Sequence, residues 1–145
     1  MMKVCKFGGT SVASAHQIKK VADIVQADPT RRIVVVSAPG KRFDGDEKVT
    51  DLLIGLAEAA LADKDTKGPL DKVLSLYSQI AMDLGLGSEV VAIIAADLSW
   101  RLASSKANPS LFYDQMKASG EDNSAKLVSA YLSSIGLPAE YINPL

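Results

Sequence analysis

The sequence predicts an α/β protein built on a parallel sheet, and three observations carry that prediction. First, a short strand-like run at residues 2–5 is followed by a glycine turn. Residues 12–27 come next, where Ile18, Val21, Ala22 and Val25 recur at helical spacing. Second, residues 33–36 read Ile-Val-Val-Val, a β-branched run without polar alternation, as in a parallel strand buried on both faces. Third, most of the chain beyond residue 49 carries apolar stripes at helical period. Residues 2–36 therefore form a β-α-β unit, with a right-handed crossover expected.

Each element has its own signal. Asp28-Pro29-Thr30 ends the first helix, as proline should. Ser37-Ala38-Pro39-Gly40 ends the second strand, and residues 41–48 (KRFDGDEK) form a charged loop. A loop leaving the C-terminal end of a parallel strand lies where α/β proteins bind ligands; its charges are equally those of a solvated connector. Val49, Leu52, Leu53, Leu56 and Ala60 mark the face of the next helix. Beyond Gly68-Pro69, a second face is marked by Leu70, Val73, Leu74, Tyr77, Ile80, Ala81 and Leu84, with Gly85 and Gly87 closing that helix. A third helix is predicted over residues 88–104, with Val90, Val91, Ile94 and Leu98 inward. After the Asn108-Pro109 break, a short helix is predicted over residues 110–118. A separate long helix then starts near Gly120, carries Leu127, Val128, Tyr131, Leu132 and Ile135, and ends at Gly136. Residues 138–142 read as a third strand, before Asn143-Pro144-Leu145. A parallel sheet this small, under so many helices, reads as the first part of a larger fold.

Composition bounds the function. The 145 residues suffice for one domain with a core, and 48% hydrophobic residues argue against disorder. Lys+Arg 16 against Asp+Glu 17 leaves a net charge of −1 and no basic footprint for nucleic acid. No charged leader precedes a long apolar core, and no apolar run approaches the roughly 18–20 residues that span a bilayer. A cytoplasmic location is expected. Cys5, the single cysteine, permits no internal disulfide and reads as a small strand residue rather than a nucleophile. His16, the single histidine, has no partner for a metal site or a catalytic triad and reads as a surface helix residue.

The stretch with chemistry in it is Lys6-Phe7-Gly8-Gly9-Thr10-Ser11. Two glycines let the backbone turn tightly and approach a ligand. Helix amides following the turn, with the positive end of the helix dipole, would face an anion. Lys6 adds a full charge. These are the parts of a phosphate cradle, although a plain βα turn with incidental glycines satisfies the same spacing. The lysine precedes the glycines, so this is not a P-loop, and no G-x-G-x-x-G can be written across it.

With Val12 added, this stretch resembles the opening signature of the aspartate kinases, within the amino-acid kinase superfamily. Val34-Val35-Val36-Ser37-Ala38 resembles that family's second strand and its serine. Val49-Thr50-Asp51-Leu52-Leu53 resembles its threonine-aspartate helix start, and Ser119-Gly120-Glu121 its Gly-Glu motif. The resemblance implies a three-layer αβα fold with a mainly parallel sheet, of which residues 1–145 are the N-terminal portion. No glycine-rich segment with a catalytic aspartate and no regulatory ACT module is found here. Asp122-Asn123 is more polar than the family pattern leads one to expect.

By the same resemblance, the activity implied is transfer of the ATP γ-phosphate, with Mg²⁺, to the side-chain carboxylate of L-aspartate. The product would be 4-phospho-L-aspartate, the entry to lysine, threonine and methionine biosynthesis. Lys6 would be the electrostatic catalyst, and Lys6, Gly8, Gly9, Thr10 and Ser11 would hold phosphate oxygens. Ser37, Thr50 and Glu121 would contact the substrate, Glu121 through its ammonium group. Each has a structural alternative. Ser37 could be a strand-ending turn residue and Thr50 an N-cap. Glu121 could be an acid in a first helical turn, with Ser119 and Asp122 as a capping pair. A stand-alone module binding an amino acid or anion, and a kinase of another acidic amino acid, are the competing functions. An open sheet edge would favour self-association.

Overall fold

The computed structural model describes residues 1–144; Leu145 lies outside them. Strands β1 (Lys3–Phe7) and β2 (Arg31–Val36) pair in parallel, with Cys5 opposite Val34 and Phe7 opposite Val36. A 3-10 turn (Gly9–Val12) and helix α1 (Ala15–Gln26) connect them. Helices α2 (Val49–Leu61), α3 (Lys67–Asp83), α4 (Glu89–Leu102) and α5 (Pro109–Ser134) follow. The β-α-β unit is as the sequence reads. So are the inward positions of α2, α3 and α4: Val49, Leu53, Leu56, Val73, Tyr77, Ile80, Ile94 and Leu98 are all buried. They meet Ile18 and Val21 of α1 and Phe112, Met116 and Leu127 of α5 in one apolar core. His16 is exposed on α1 and Cys5 is a half-buried free thiol.

Four expectations are corrected. The glycine turn does not run straight into α1. The 3-10 turn intervenes, and α1 begins at Ala15, capped by Ser14 Oγ, which accepts from the Gln17 amide at 3.3 Å. β2 is not buried on both faces. Val36 is buried, but Ile33 and Val35 are 44% and 43% exposed, and Val4 beside Ile33 is 64% exposed. These residues share one face by strand alternation, and no described element covers it.

The two predicted helices around Gly120 are one continuous helix, α5. Asn108 caps it, its side chain accepting from the Leu111 amide at 3.1 Å, with Pro109 in the first turn. Gly120 does not break it, because tertiary contact there demands a residue without a side chain. A Cβ on Gly120 would lie 2.8 Å from Ala38 Cβ and 3.2 Å from Leu53 Cδ1. Finally, residues 138–142 form no strand. The described sheet has only two strands, and serine hydroxyls of α5 take up the backbone of this segment instead. Ser129 and Ser133 donate to the Ala139 carbonyl (3.3 and 3.0 Å), and the Ala139 amide donates back to Ser133 (3.2 Å). Among the described residues no helix is long and apolar enough to cross a membrane.

Candidate functional site

Two backbone turns meet at the C-terminal end of the sheet. The turn after β1 presents Gly8 and Gly9; the turn after β2 runs Ser37-Ala38-Pro39-Gly40. Strand pairing brings them together, and the Ser37 amide extends it by donating to the Phe7 carbonyl at 3.0 Å. The Gly40 amide then donates to the Gly9 carbonyl at 2.9 Å. The contact is so close that a Cβ on Gly40 would lie 2.8 Å from Gly9 C and 3.0 Å from Thr10 N. Only glycine fits there. Within the first turn the Ser11 amide donates to the Gly8 carbonyl at 3.1 Å.

Helix α2 is docked onto the second turn by its first residue, since the Val49 amide donates to the Pro39 carbonyl at 3.1 Å. This places Thr50, the next residue of α2, near the turn that carries Ser37. Thr50 does not cap α2: Lys48 holds that position and no side chain caps the helix. Helix α5 closes the remaining side through Gly120, and Glu121 follows on its exposed flank. Glu121 is therefore far inside a long helix, and neither the first-turn nor the capping-box alternative describes it. Ser119 Oγ instead donates to the Met116 carbonyl at 2.6 Å, within α5.

Gly9, Thr10, Ser37, Thr50 and Glu121 thus line a single open cavity of about 380 Å³. Four stretches far apart in sequence are brought to one place. Lys6, Gly8 and Ser11 are not on that lining. Lys6 is exposed on β1 opposite Val35, on the uncovered face of the sheet. Ala38, Pro39, Gly40, Lys41 and Lys48 complete the lining, and sequence reading singled out none of them as site residues. The signal was present in the charged loop at the end of a parallel strand. Two lysines and one glutamate suit a ligand with more anionic than cationic groups.

A buried polar contact ties α3 to α5 at Gly120, next to Glu121. The Tyr77 hydroxyl on α3 donates to the Gly120 carbonyl at 3.1 Å, and burial pushes the Tyr77 phenol well above its ordinary pKa. Arg42 and Asp46 tie the loop over residues 41–48 to itself. Nε and Nη2 of Arg42 reach the carboxylate at 2.7 and 2.8 Å, and its amide donates to the same group at 2.9 Å. Those bonds hold the Asp46 carboxyl well below the usual carboxylate range. The loop is exposed, but it is a braced turn rather than a loose connector.

The family described as "Amino acid kinase family" matches residues 1–145. Aspartokinase 3 of Bacillus subtilis is 50% identical over 143 residues, covering 99% of this chain and 32% of that protein. The chloroplastic bifunctional aspartokinase/homoserine dehydrogenase 1 of Zea mays is 32% identical, over 99% of this chain and 16% of its own length. Among solved structures, the aspartate kinase of Clostridium acetobutylicum superposes with a TM-score of 0.79 at 27% identity, covering 90% of this chain and 29% of that one. E. coli aspartokinase III in complex with aspartate and ADP gives 0.67 at 28% identity, covering 93% of this chain and 29% of that one. The chain spans about a third of the first of these relatives, and less of the others.

Proposed function

The chain belongs to the amino acid kinase family, and from that premise we propose that it is the N-terminal part of an aspartate kinase catalytic domain. The reaction is transfer of the γ-phosphoryl group of ATP to the side-chain carboxylate of L-aspartate, giving 4-phospho-L-aspartate and ADP. The observation that carries this reading is the convergence of Gly9, Thr10, Ser37, Thr50 and Glu121 on one cavity.

The chemistry asks for positioning and charge, not for a base. A carboxylate with a pKa of about 4 is ionised at pH 7 and already a nucleophile. An anion must nonetheless approach an anion. Lys6 supplies the positive charge that stabilises the phosphoryl group in transit, and Gly8, Gly9, Thr10 and Ser11 form the turn against which its oxygens rest. The close glycine–glycine approach fits that role, because it leaves backbone rather than side chain facing the cavity. Mg²⁺ would travel on the nucleotide's oxygens and water, as this ion usually does. Glu121 pairs with the ammonium group of aspartate, and the Ser37 and Thr50 hydroxyls fix the rest of the amino acid. The free edges of the two-stranded sheet and its uncovered face suit contact with further chain or with a second copy.

The test uses the full-length protein that carries this segment. Incubation with Mg-ATP, aspartate and hydroxylamine should yield aspartyl hydroxamate, trapped from the acyl phosphate. Lys6→Ala should lower kcat roughly a hundredfold, as loss of a transition-state charge contact does. Hydroxamate formed from glutamate or N-acetylglutamate, with none from aspartate, would overturn the substrate.

A further inference from the structure

We propose that Arg101, braced by Asp97, is a positioning residue for Glu121: it locks α5 at the rotation that turns Glu121 toward the cavity. The inference rests on the reading of Glu121 as the ammonium partner of the substrate.

Arg101 is only 7% exposed. It sits on the inner stripe of α4, after Val90, Ile94 and Leu98, where an apolar residue would be expected. Each of its three guanidinium nitrogens donates a hydrogen bond. Nε donates to Asp97 Oδ2 at 2.9 Å, Nη1 to the Gln115 carbonyl at 2.8 Å, and Nη2 to Asp122 Oδ2 at 2.9 Å. Gln115 and Asp122 are seven residues apart, on one face of α5. Carbonyls point toward a helix's C-terminus and side chains tilt toward its N-terminus. The two groups therefore converge midway, and one planar fork bridges two turns of the helix.

The same cluster holds the helix from other directions. Asn123 Nδ2 donates to Asp97 Oδ2 at 2.9 Å, Lys126 Nζ lies 3.3 Å from Asp122 Oδ2, and Tyr141 donates to the other oxygen of Asp122. Two acids face two bases, so the cluster is neutral and its members are paired. Asp122 and Asn123, the polar pair that departs from the family pattern, are thus explained by this cluster.

Glu121 lies between two fixed neighbours. Gly120 is seated against Ala38 and Leu53, and Asp122 is clamped to Arg101. Successive residues of a helix are about 100° apart. Fixing the directions of 120 and 122 therefore fixes the direction of 121. Releasing Arg101 removes the tie that holds Asp122, next to Glu121, across to α4. The apolar stripe of α5, Gly120 and the Asn123–Asp97 bond still hold the helix, so Glu121 shifts by a fraction of an ångström rather than swinging away.

The experiment is a kinetic double-mutant cycle in the full-length protein. Arg101→Met should raise the KM for aspartate about tenfold, as a misplacement of under an ångström does. The KM for ATP should stay within about twofold, the scatter of uncoupled sites. Arg101→Lys, which keeps the charge but cannot span both partners, should fall between. In a Glu121→Gln background, Arg101→Met should add nothing further to the aspartate KM. If the two effects multiply, Arg101 does not act through Glu121 and the inference is overturned; equal rises in both KM values overturn it too. If Arg101→Met fails to fold, Arg101→Lys carries the same cycle. If Glu121→Gln alone leaves the aspartate KM unchanged, the substrate reading of Glu121 fails and takes this inference with it.

Discussion

Gly120→Ala sets two known effects against each other. In an isolated helix the change is favourable by about 1 kcal/mol, because alanine is the better helix former. Here the new Cβ would sit 2.8 Å from Ala38 Cβ and 3.2 Å from Leu53 Cδ1. Carbon atoms prefer about 3.5–4.0 Å, so α5 and the Ser37–Ala38 turn must separate by roughly 0.7 Å or more. Ala38 has no flexible end to move aside, and its turn is tied to β1 and α2 by backbone bonds. Overpacking of this kind costs about 1–3 kcal/mol. The net expectation is a loss of up to about 2 kcal/mol, read as a lower denaturation midpoint with an unchanged slope. The shift acts on the line joining Ser37 and Thr50 to Glu121. On the proposed reading, the KM for aspartate should therefore rise tenfold or more. Urea unfolding of this chain and steady-state kinetics of the full-length protein give the two readouts. A variant that is more stable by about 1 kcal/mol, with an unchanged aspartate KM, would show Gly120 to be an ordinary helix glycine and refute the argument.

Further outcomes are expected at other sites. Glu121→Gln should raise the aspartate KM strongly with little change in thermal midpoint, because the side chain is exposed; loss of stability at constant KM would make the residue structural. Gly40→Ala should impair folding or ATP use more than Gly55→Ala, since its Cβ meets backbone atoms while that of Gly55, in helix α2, meets nothing within 4 Å, and comparison of the two purified proteins decides it. Residues 1–145 alone should form no aspartyl hydroxamate, because half of a two-substrate site forfeits most of its proximity advantage; product abolished by Lys6→Ala would prove the segment sufficient. Tyr141 is pushed up to about 12 by burial and by its bond to the Asp122 carboxylate. The unfolded chain ionises this phenol near pH 10 and the folded chain does not, so stability should fall as pH rises from about 10 toward 12. Absorbance titration should show that late phenol lost in Tyr141→Phe.

Much of this architecture is legible because local pattern and tertiary role agree. The β-branched run at residues 33–36 could pair with little else than the strand at Lys3–Phe7, and the apolar stripes of α2, α3 and α4 could bury only one face. Legibility fails where a residue's reason is a distant neighbour. Gly120 reads as a boundary in one dimension and is a contact point in three. Residues 138–142 carry strand-like residues, but strand formation needs a partner edge, and the serines of α5 offer the backbone another. Arg101 left a usable trace: it is the charged residue on an otherwise apolar stripe, and such a residue must be paired if buried. Lys41 and Lys48 left a weaker one, as charges in a loop look the same whether they face bulk water or a cavity.

Phosphoryl transfer requires donor and acceptor to be held in line, and side chains are too mobile to guarantee that by themselves. In this chain the two halves of the proposed site hang on different turns. The phosphate side depends on the turn after β1; the acceptor side depends on the turn after β2 and the helices docked to it. The Gly40 amide bonded to the Gly9 carbonyl joins them, backbone to backbone. Any movement of one turn must carry the other. Lys6 lies on the uncovered face of the sheet, off the cavity lining, whereas Glu121 lines the cavity from α5; on the proposed reading, Lys6 meets the phosphoryl group only where the nucleotide extends beyond that lining.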